Sequence, residues 1–272
     1  MVRKALKLIG VLTGATLIAA AWAAVPGSPR PSEPASRPPE ARGAHAPRPG
    51  STRLIYIVNT NLSPGTEGSA LRIATAVRRV SGLRTVIEHH SRATSARIRE
   101  IRPVGIILSG QGNPWDDYSP AALQGVMKMI RQAPCPVLGI CGGHQLVALT
   151  FGGKVDRIRR SRPGRGYEGC WKESGYRRIR VVASDPVVGA AGTDLLVLES
   201  HYDEVKGLPP LLKLVAVGSV CRVQAMKHEK RPIYGVQFHP ERWDQKHAAG
   251  REVLQRFLQL CAVSANQLRE PN

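Results

Sequence analysis

Cys141 stands in the stretch GICGGHQ (139–145), directly after the apolar run PVLGI (136–140). An aliphatic run is at home in a strand core; Cys-Gly-Gly does not continue one. Three fates suit the thiol: a buried apolar side chain, a metal ligand, or a nucleophile. The five cysteines, at 135, 141, 170, 221 and 261, form no Cys-x-x-Cys pair, so Cys141 has no partners at ligand spacing. A buried thiol does not call for glycines on both sides. G-I-C-G-G is the cysteine form of the G-x-S-x-G elbow, whose small neighbours permit a sharp strand-to-helix turn that lifts the side chain into the open. The following helix would point its N-terminus at the sulfur and favour thiolate, and the Gly142 amide would stand ready to donate to an oxyanion.

A nucleophile needs a base. YGVQFHPE (234–241) ends an apolar run on His239 and Glu241. Positions i and i+2 of an extended chain point to the same side, and Pro240 pushes His239 toward an extended conformation. The carboxylate can then orient the imidazole while the other ring nitrogen reaches a thiol. His144 is closer in sequence but falls on the helix after the elbow, so the base is expected from His239. Cys135, Cys170, Cys221 and Cys261 lack such surroundings and read as structural.

These residues need elements to hold them. RLIYIVNT (53–60), RTVIEHH (84–90), VGIILSG (104–110) and PVLGIC (136–141) read as strands. The fully apolar third run asks for cover on both faces, as in a parallel sheet. Between them, TEGSALRIATAVRRVSG (66–82) places Leu71, Ala74, Val77 and Val80 near helical spacing with Gly82 as a stop. SPAALQGVMKMIRQA (119–133) opens with a Ser cap and a Pro in the first turn, and GGHQLVALTFG is the helix after the elbow. This βαβα alternation predicts a doubly wound α/β sheet, whose sites form beyond the carboxyl ends of the strands, where Cys141 falls. After residue 153 the pattern changes. Strands are expected over 176–184, 194–201, 211–219 and 232–240, some antiparallel, and an amphipathic helix over 243–263 closes the domain.

The 272 residues carry Lys+Arg 39 against Asp+Glu 20, a net charge of +19. The arginines are scattered, aromatics make up only 5%, and no zinc-finger, RRM or P-loop pattern occurs, so a solvated basic surface is favoured over nucleic-acid binding. The start is a separate matter. MVRKALK is basic and LIGVLTGATLIAAAWAAV (8–25) is uncharged, the form of an export signal or a membrane anchor that would send the rest of the chain across a membrane. PGSPRPSEPASRPPEARGAHAPRPG (26–50) is a proline-rich linker unable to form a core. The domain organisation expected is residues 1–25 signal or anchor, 26–52 linker, 53–265 catalytic domain and 266–272 tail. Export or tethering is the location expected, with the cytoplasm as alternative.

GICGGHQ and GVQFHPE resemble the two signatures of class I (triad) glutamine amidotransferase domains. ILSGQGNP (107–114) resembles that family's glycine-rich oxyanion loop, and ESHYDEV (199–205) its Ser-His segment that helps hold glutamine. All four occur in the family's order, and the likeness extends loosely over 53–262. The resemblance implies a flavodoxin-like open, mostly parallel sheet with helices on both faces plus additional antiparallel strands. It implies Cys141 as nucleophile, His239 as general base and acid, and Glu241 as its orienter. Gly110 and Gly112 match loop positions that contact glutamine, with an amide there joining that of Gly142 in the oxyanion hole. Gln145 would contact the substrate, and Ser200, His201 and Tyr202 would hold its α-amino and carboxylate ends. No metal or cofactor is needed.

The sequence departs from the pattern at Gln111, where many members have Gly or Pro. WDDY (115–118) is bulky and acidic enough to act as a lid, and the segment 154–180 holds 10 Lys/Arg against 3 Asp/Glu, as a docking patch or a solvated strand pair. Family members usually supply ammonia to a synthetase, and no ATP-binding loop occurs here. A glutamine amidotransferase or glutaminase with a separate ammonia-accepting partner is therefore the first expectation. A peptidase for other γ-glutamyl amides is the second, and a non-catalytic module is disfavoured by the intact triad.

Overall fold

The computed structural model describes residues 53–267. The apolar segment 8–25 and the linker 26–52 lie outside the described residues, and among those described no helix is long and apolar enough to cross a membrane.

The chain begins βαβ: β1 (Leu54–Asn59), α1 (Gly68–Ser81) and β2 (Arg84–His89), which lies parallel to β1. α2 (Ser95–Ile101), β3 (Gly105–Leu108), α3 (Pro120–Gln132), β4 (Val137–Ile140) and α4 (Gly142–Thr150) continue the alternation. β5 (Lys154–Arg157), β6 (Glu173–Val181), β7 (Asp194–His201), β8 (Asp203–Gly207), β9 (Leu212–Gly218), β10 (Ala225–His228) and β11 (Ile233–Val236) follow, and α5 (Ala249–Gln267) closes the unit. The main sheet runs β2-β1-β3-β4-β11-β10-β9-β6-β7. Its first five strands are parallel and its last four antiparallel, and β5 and β8 form a separate ribbon. This is the flavodoxin-like sheet with an antiparallel extension.

The apolar runs explain the layers. Every residue of β3, β4 and β11 is buried, as central parallel strands covered on both faces require. α1 and α5 pack one face through Ile73, Val77, Leu254 and Phe257. α2, α3 and α4 pack the other through Ile98, Val126, Met129 and Leu146. Gly82 ends α1 in the left-handed conformation at φ 67°, the expected stop.

Three local expectations need correction. Ser119 precedes α3 but makes no side-chain cap; Pro120 at the first position sets the start. α5 begins at Ala249, not near 243, because Asp244 folds the preceding stretch into a turn by accepting from the amides of Lys246 and His247. Its end at Gln267 lies two residues inside the stretch expected as a tail.

Candidate active site

Cys141 sits between the end of β4 and the start of α4 with φ 54° and ψ −108°. Among the described residues only Arg102 shares a positive φ without being glycine. Such backbone costs about 1–3 kcal/mol and persists only where its surroundings enforce it. They do: the Cys141 amide donates to the Val236 carbonyl at 2.9 Å, and the Cys141 carbonyl accepts from the Gln145 amide at 3.1 Å. The two glycines allow the close approach behind the turn. A Cβ on Gly143 would stand 2.7 Å from the Leu108 Cβ, and one on Gly142 would stand 2.8 Å from the Gln111 nitrogen. Gly142 opens α4, so its N–H has no partner within the helix.

His239 follows β11 by three residues and is tied down through its amide, which donates to the Leu198 carbonyl at 2.9 Å. Its Nδ1 lies 2.8 Å from Glu241 Oε1, and the Glu241 side chain is fully buried. Its Nε2 is buried without a hydrogen-bond partner. A Cβ on Gly110 would lie 3.4 Å from the Cys141 Cβ and 3.6 Å from the His239 Cε1, so the glycine leaves room where thiol and ring converge. Burial works against a charged ring here, but Glu241 and the Cys141 sulfur hold the His239 imidazole well above its ordinary pKa. Of the remaining cysteines, Cys135, Cys221 and Cys261 are buried, as a structural reading expects, and burial pushes the Cys135 thiol up to about 12; Cys170 is only half-buried.

Two cavities meet at Cys141. One, of about 90 Å³, is lined by Gln145, Tyr167, Ser200, His201, Tyr202 and Asp203. The other, of about 270 Å³, opens on the His239 side. Gly110 lines the second, and Gly112 and Ser200 line both. The structure thus brings every expected site residue except Gly142 and Glu241 to the wall of one of these two cavities; Gly142 opens α4 next to Cys141, and Glu241 stands behind His239.

Two of them are already engaged. The Gly112 amide, a candidate oxyanion donor, instead donates to Asn61 Oδ1 at 3.1 Å; the nitrogen standing over Gly142 is that of Gln111. Gln145 is 1% exposed. Its carbonyl accepts from the Trp115 indole at 2.7 Å, and its amide donates to the Asp203 carbonyl at 2.8 Å and to Gln237 Oε1 at 3.1 Å.

His201 is buried between two carboxylates: Nε2 lies 3.1 Å from Glu199 and 3.3 Å from Glu173, and Nδ1 donates to the Asp203 carbonyl at 2.8 Å. Burial alone would lower its pKa, but the two carboxylates raise it to about 10, so the ring stays protonated at neutral pH. Both nitrogens thus face protein groups, and His201 meets the cavity as a held cation. Asp203 binds Arg157 at 3.0 Å and accepts from the Tyr167 hydroxyl at 2.7 Å. Tyr167 stacks on Tyr202 with centroids 4.4 Å apart, and Arg157 reaches Asp116 of the WDDY stretch at 2.7 Å. The basic segment therefore divides. Arg157 turns inward, Arg160 donates to the carbonyls of Gly164, Gly166 and Glu168 and organises its own loop, and Arg159, Arg162 and Arg165 stay exposed. Sequence reasoning missed Asn61, Tyr167, Glu173, Asp203 and Gln237 and gave Trp115 only as part of a lid; their partners lie far along the chain.

Comparison with known proteins agrees with this geometry. Residues 71–260 match the family described as glutamine amidotransferase class-I. The chain is 40% identical over 164 residues to a glutamine-hydrolysing GMP synthase subunit of Pyrococcus abyssi, covering 60% of this chain and 79% of that one. It is 34% identical over 168 residues to the protein of the same name from Thermoplasma acidophilum, covering 62% and 76%. A crystal structure described as a GMP synthase subunit from Thermoplasma acidophilum superposes with a TM-score of 0.65 at 29% identity, covering 80% of this chain and 98% of that one. A glutamine amidotransferase structure from Thermotoga maritima, at 16% identity and TM-score 0.56 over 81% and 87% of the two chains, shares the fold. With an elbow cysteine, a carboxylate-held histidine beside it and a family match across most of the folded unit, the chain belongs to the class I glutamine amidotransferases and is a cysteine-dependent enzyme of that family.

Proposed function

We propose that the chain hydrolyses the γ-amide of glutamine through a Cys141–His239–Glu241 triad and passes the ammonia to a separate synthetase. The observation that carries this reading is the His239 ring: Nδ1 held by Glu241 at 2.8 Å, Nε2 unpartnered, and the strained Cys141 before it. Cys141 attacks the carboxamide carbon, and the Gly142 and Gln111 amides receive the developing oxyanion. His239 gives its proton to the departing nitrogen, then takes one from the water that opens the glutamyl thioester. The glutamyl chain lies in the cavity walled by Ser200, His201 and Tyr202.

The relatives support the partner: each is named as one subunit of a GMP synthase, and a protein so named works beside another. The acceptor of the ammonia here would be a synthetase of that kind. Residues 8–25 keep their reading as an export signal or anchor, which would require such a partner in the same compartment; an intact chain found soluble in the cytoplasmic fraction removes that reading.

The test is ammonia release from glutamine by the purified protein, with Cys141→Ala as control, and labelling of Cys141 by an alkylating glutamine analogue. Turnover abolished in Cys141→Ala is expected. Wild-type protein that neither releases ammonia nor is labelled at Cys141 refutes the proposal.

A further inference from the structure

The cavity on the His239 side is larger than ammonia needs. It measures about 270 Å³, whereas a water-sized molecule occupies roughly 30 Å³. The glutamyl cavity meets this one at Cys141, and His239, which must protonate whatever leaves, lines only the second, so this second space receives the leaving group.

Its walls are cationic. Arg72 and Arg242 both line it, and neither is ion-paired within 4.0 Å among the described residues. Gly68 and Ser69 open α1 on the same wall, with no acidic residue in the first turn and no side-chain cap from Glu67. The first N–H groups of a 14-residue helix therefore add partial positive charge. The Ser69 hydroxyl is buried without a partner. His239, only 7% exposed, brings its unpartnered Nε2 to the same space. Ammonia has no use for two arginines and a helix N-terminus; a carboxylate on the leaving amine does.

Resting on the triad reading above, we propose that this cavity is a leaving-group subsite for an amine bearing a carboxylate, so that the chain cleaves γ-glutamyl-α-amino acids as well as glutamine. Arg72 and Arg242 bind the carboxylate, and the α1 N-terminus lies beside it. The Cys141 sulfur bonds to the γ-carbonyl carbon as the carbon–nitrogen bond breaks, and His239 delivers a proton to the departing amino acid. Water then cleaves the thioester, releasing glutamate and restoring the thiol.

The experiment compares kcat/KM for glutamine, γ-glutamylglycine and γ-glutamylethylamide, the last two differing in a carboxylate against a methyl group. γ-Glutamylglycine is expected to exceed the ethylamide on the order of tenfold. In Arg72→Met/Arg242→Met that ratio should fall to near one, with the labelling rate of Cys141 by the glutamine analogue showing that the double variant is folded. Single Arg→Lys variants should keep part of the preference. Glutamine turnover without carboxylate preference in wild type, refusal of both larger amides, or a preference that survives the double substitution overturns this proposal and leaves the triad standing. Failure on all three substrates overturns both.

Discussion

Gly143→Ala tests whether the helix behind the nucleophile is pressed onto the sheet. The added methyl would stand 2.7 Å from the Leu108 Cβ and 2.8 Å from its carbonyl carbon. Carbon atoms in contact sit about 3.5–4.0 Å apart, so α4 must move off β3 by roughly 1 Å. Backbone and fully buried Leu108 yield poorly, and overpacking of this kind costs about 1–3 kcal/mol. For a folded unit of this size that lowers the melting temperature by about 2–12 °C. Cys141 is the residue that joins α4 to β4, so the same shift displaces the thiol from His239 and from the Gln111 amide. A misplacement near 1 Å costs about 100-fold in rate. Differential scanning calorimetry and the ammonia assay read the two effects. Gly65→Ala, where an added methyl meets nothing within 4 Å, serves as the control and should change neither. A Gly143→Ala protein within about 1 °C and twofold of wild type would show that the elbow relaxes freely and that the close packing does not position the cysteine.

Other outcomes follow from the same geometry. Glu241→Gln removes the carboxylate that holds His239 Nδ1 at 2.8 Å, and the rate of ammonia release should fall about 10²–10⁴-fold; a loss under fivefold would mean that something else orients the ring. His201 is raised from 6.5 to about 10 in the folded state, so its stabilising contribution is complete below pH 6.5 and is lost as pH rises through 10. Melting temperature should therefore fall over that window, less steeply in His201→Gln; parallel curves would deny the buried cation. Trp115→Phe leaves the buried Gln145 carbonyl without its 2.7 Å donor, at a cost of about 1–3 kcal/mol, and should raise KM for glutamine; unchanged KM and melting temperature would deny that tie.

The sequence made the parallel half of the fold legible because β1, β3, β4 and β11 are apolar runs that need no partner to be recognised. α2 was missed because SARIREI buries only Ile98 and shows mostly charge. β5 (KVDR) and β8 (DEVKG) are polar, and they exist because they pair with each other; no local pattern announces such a ribbon. The same division runs through the site. Cys141, His239 and Glu241 stand in short stretches whose spacing states their chemistry. Glu173, Glu199 and His201 form one ionic group from two neighbouring strands, and only the register that sets Glu173 opposite His201 discloses it. Tyr167 lies in an arginine-rich loop that reads as surface, yet its hydroxyl reaches a buried aspartate.

Gln145 joins segments that lie 30, 58 and 92 residues away along the chain. Three closures of that length on one side chain mean that the glutamyl wall has no half-built state of its own. It cannot assemble hairpin by hairpin, and it cannot fray at one edge while the others stay shut. Amide hydrogen exchange around residues 115, 203 and 237 should accordingly share one opening event. A loop exchanged between relatives at 111–118 would be felt at Gln237 through Gln145. New substrate preference is then easier to reach from the open side, at Arg72 and Arg242, where no such knot holds the wall.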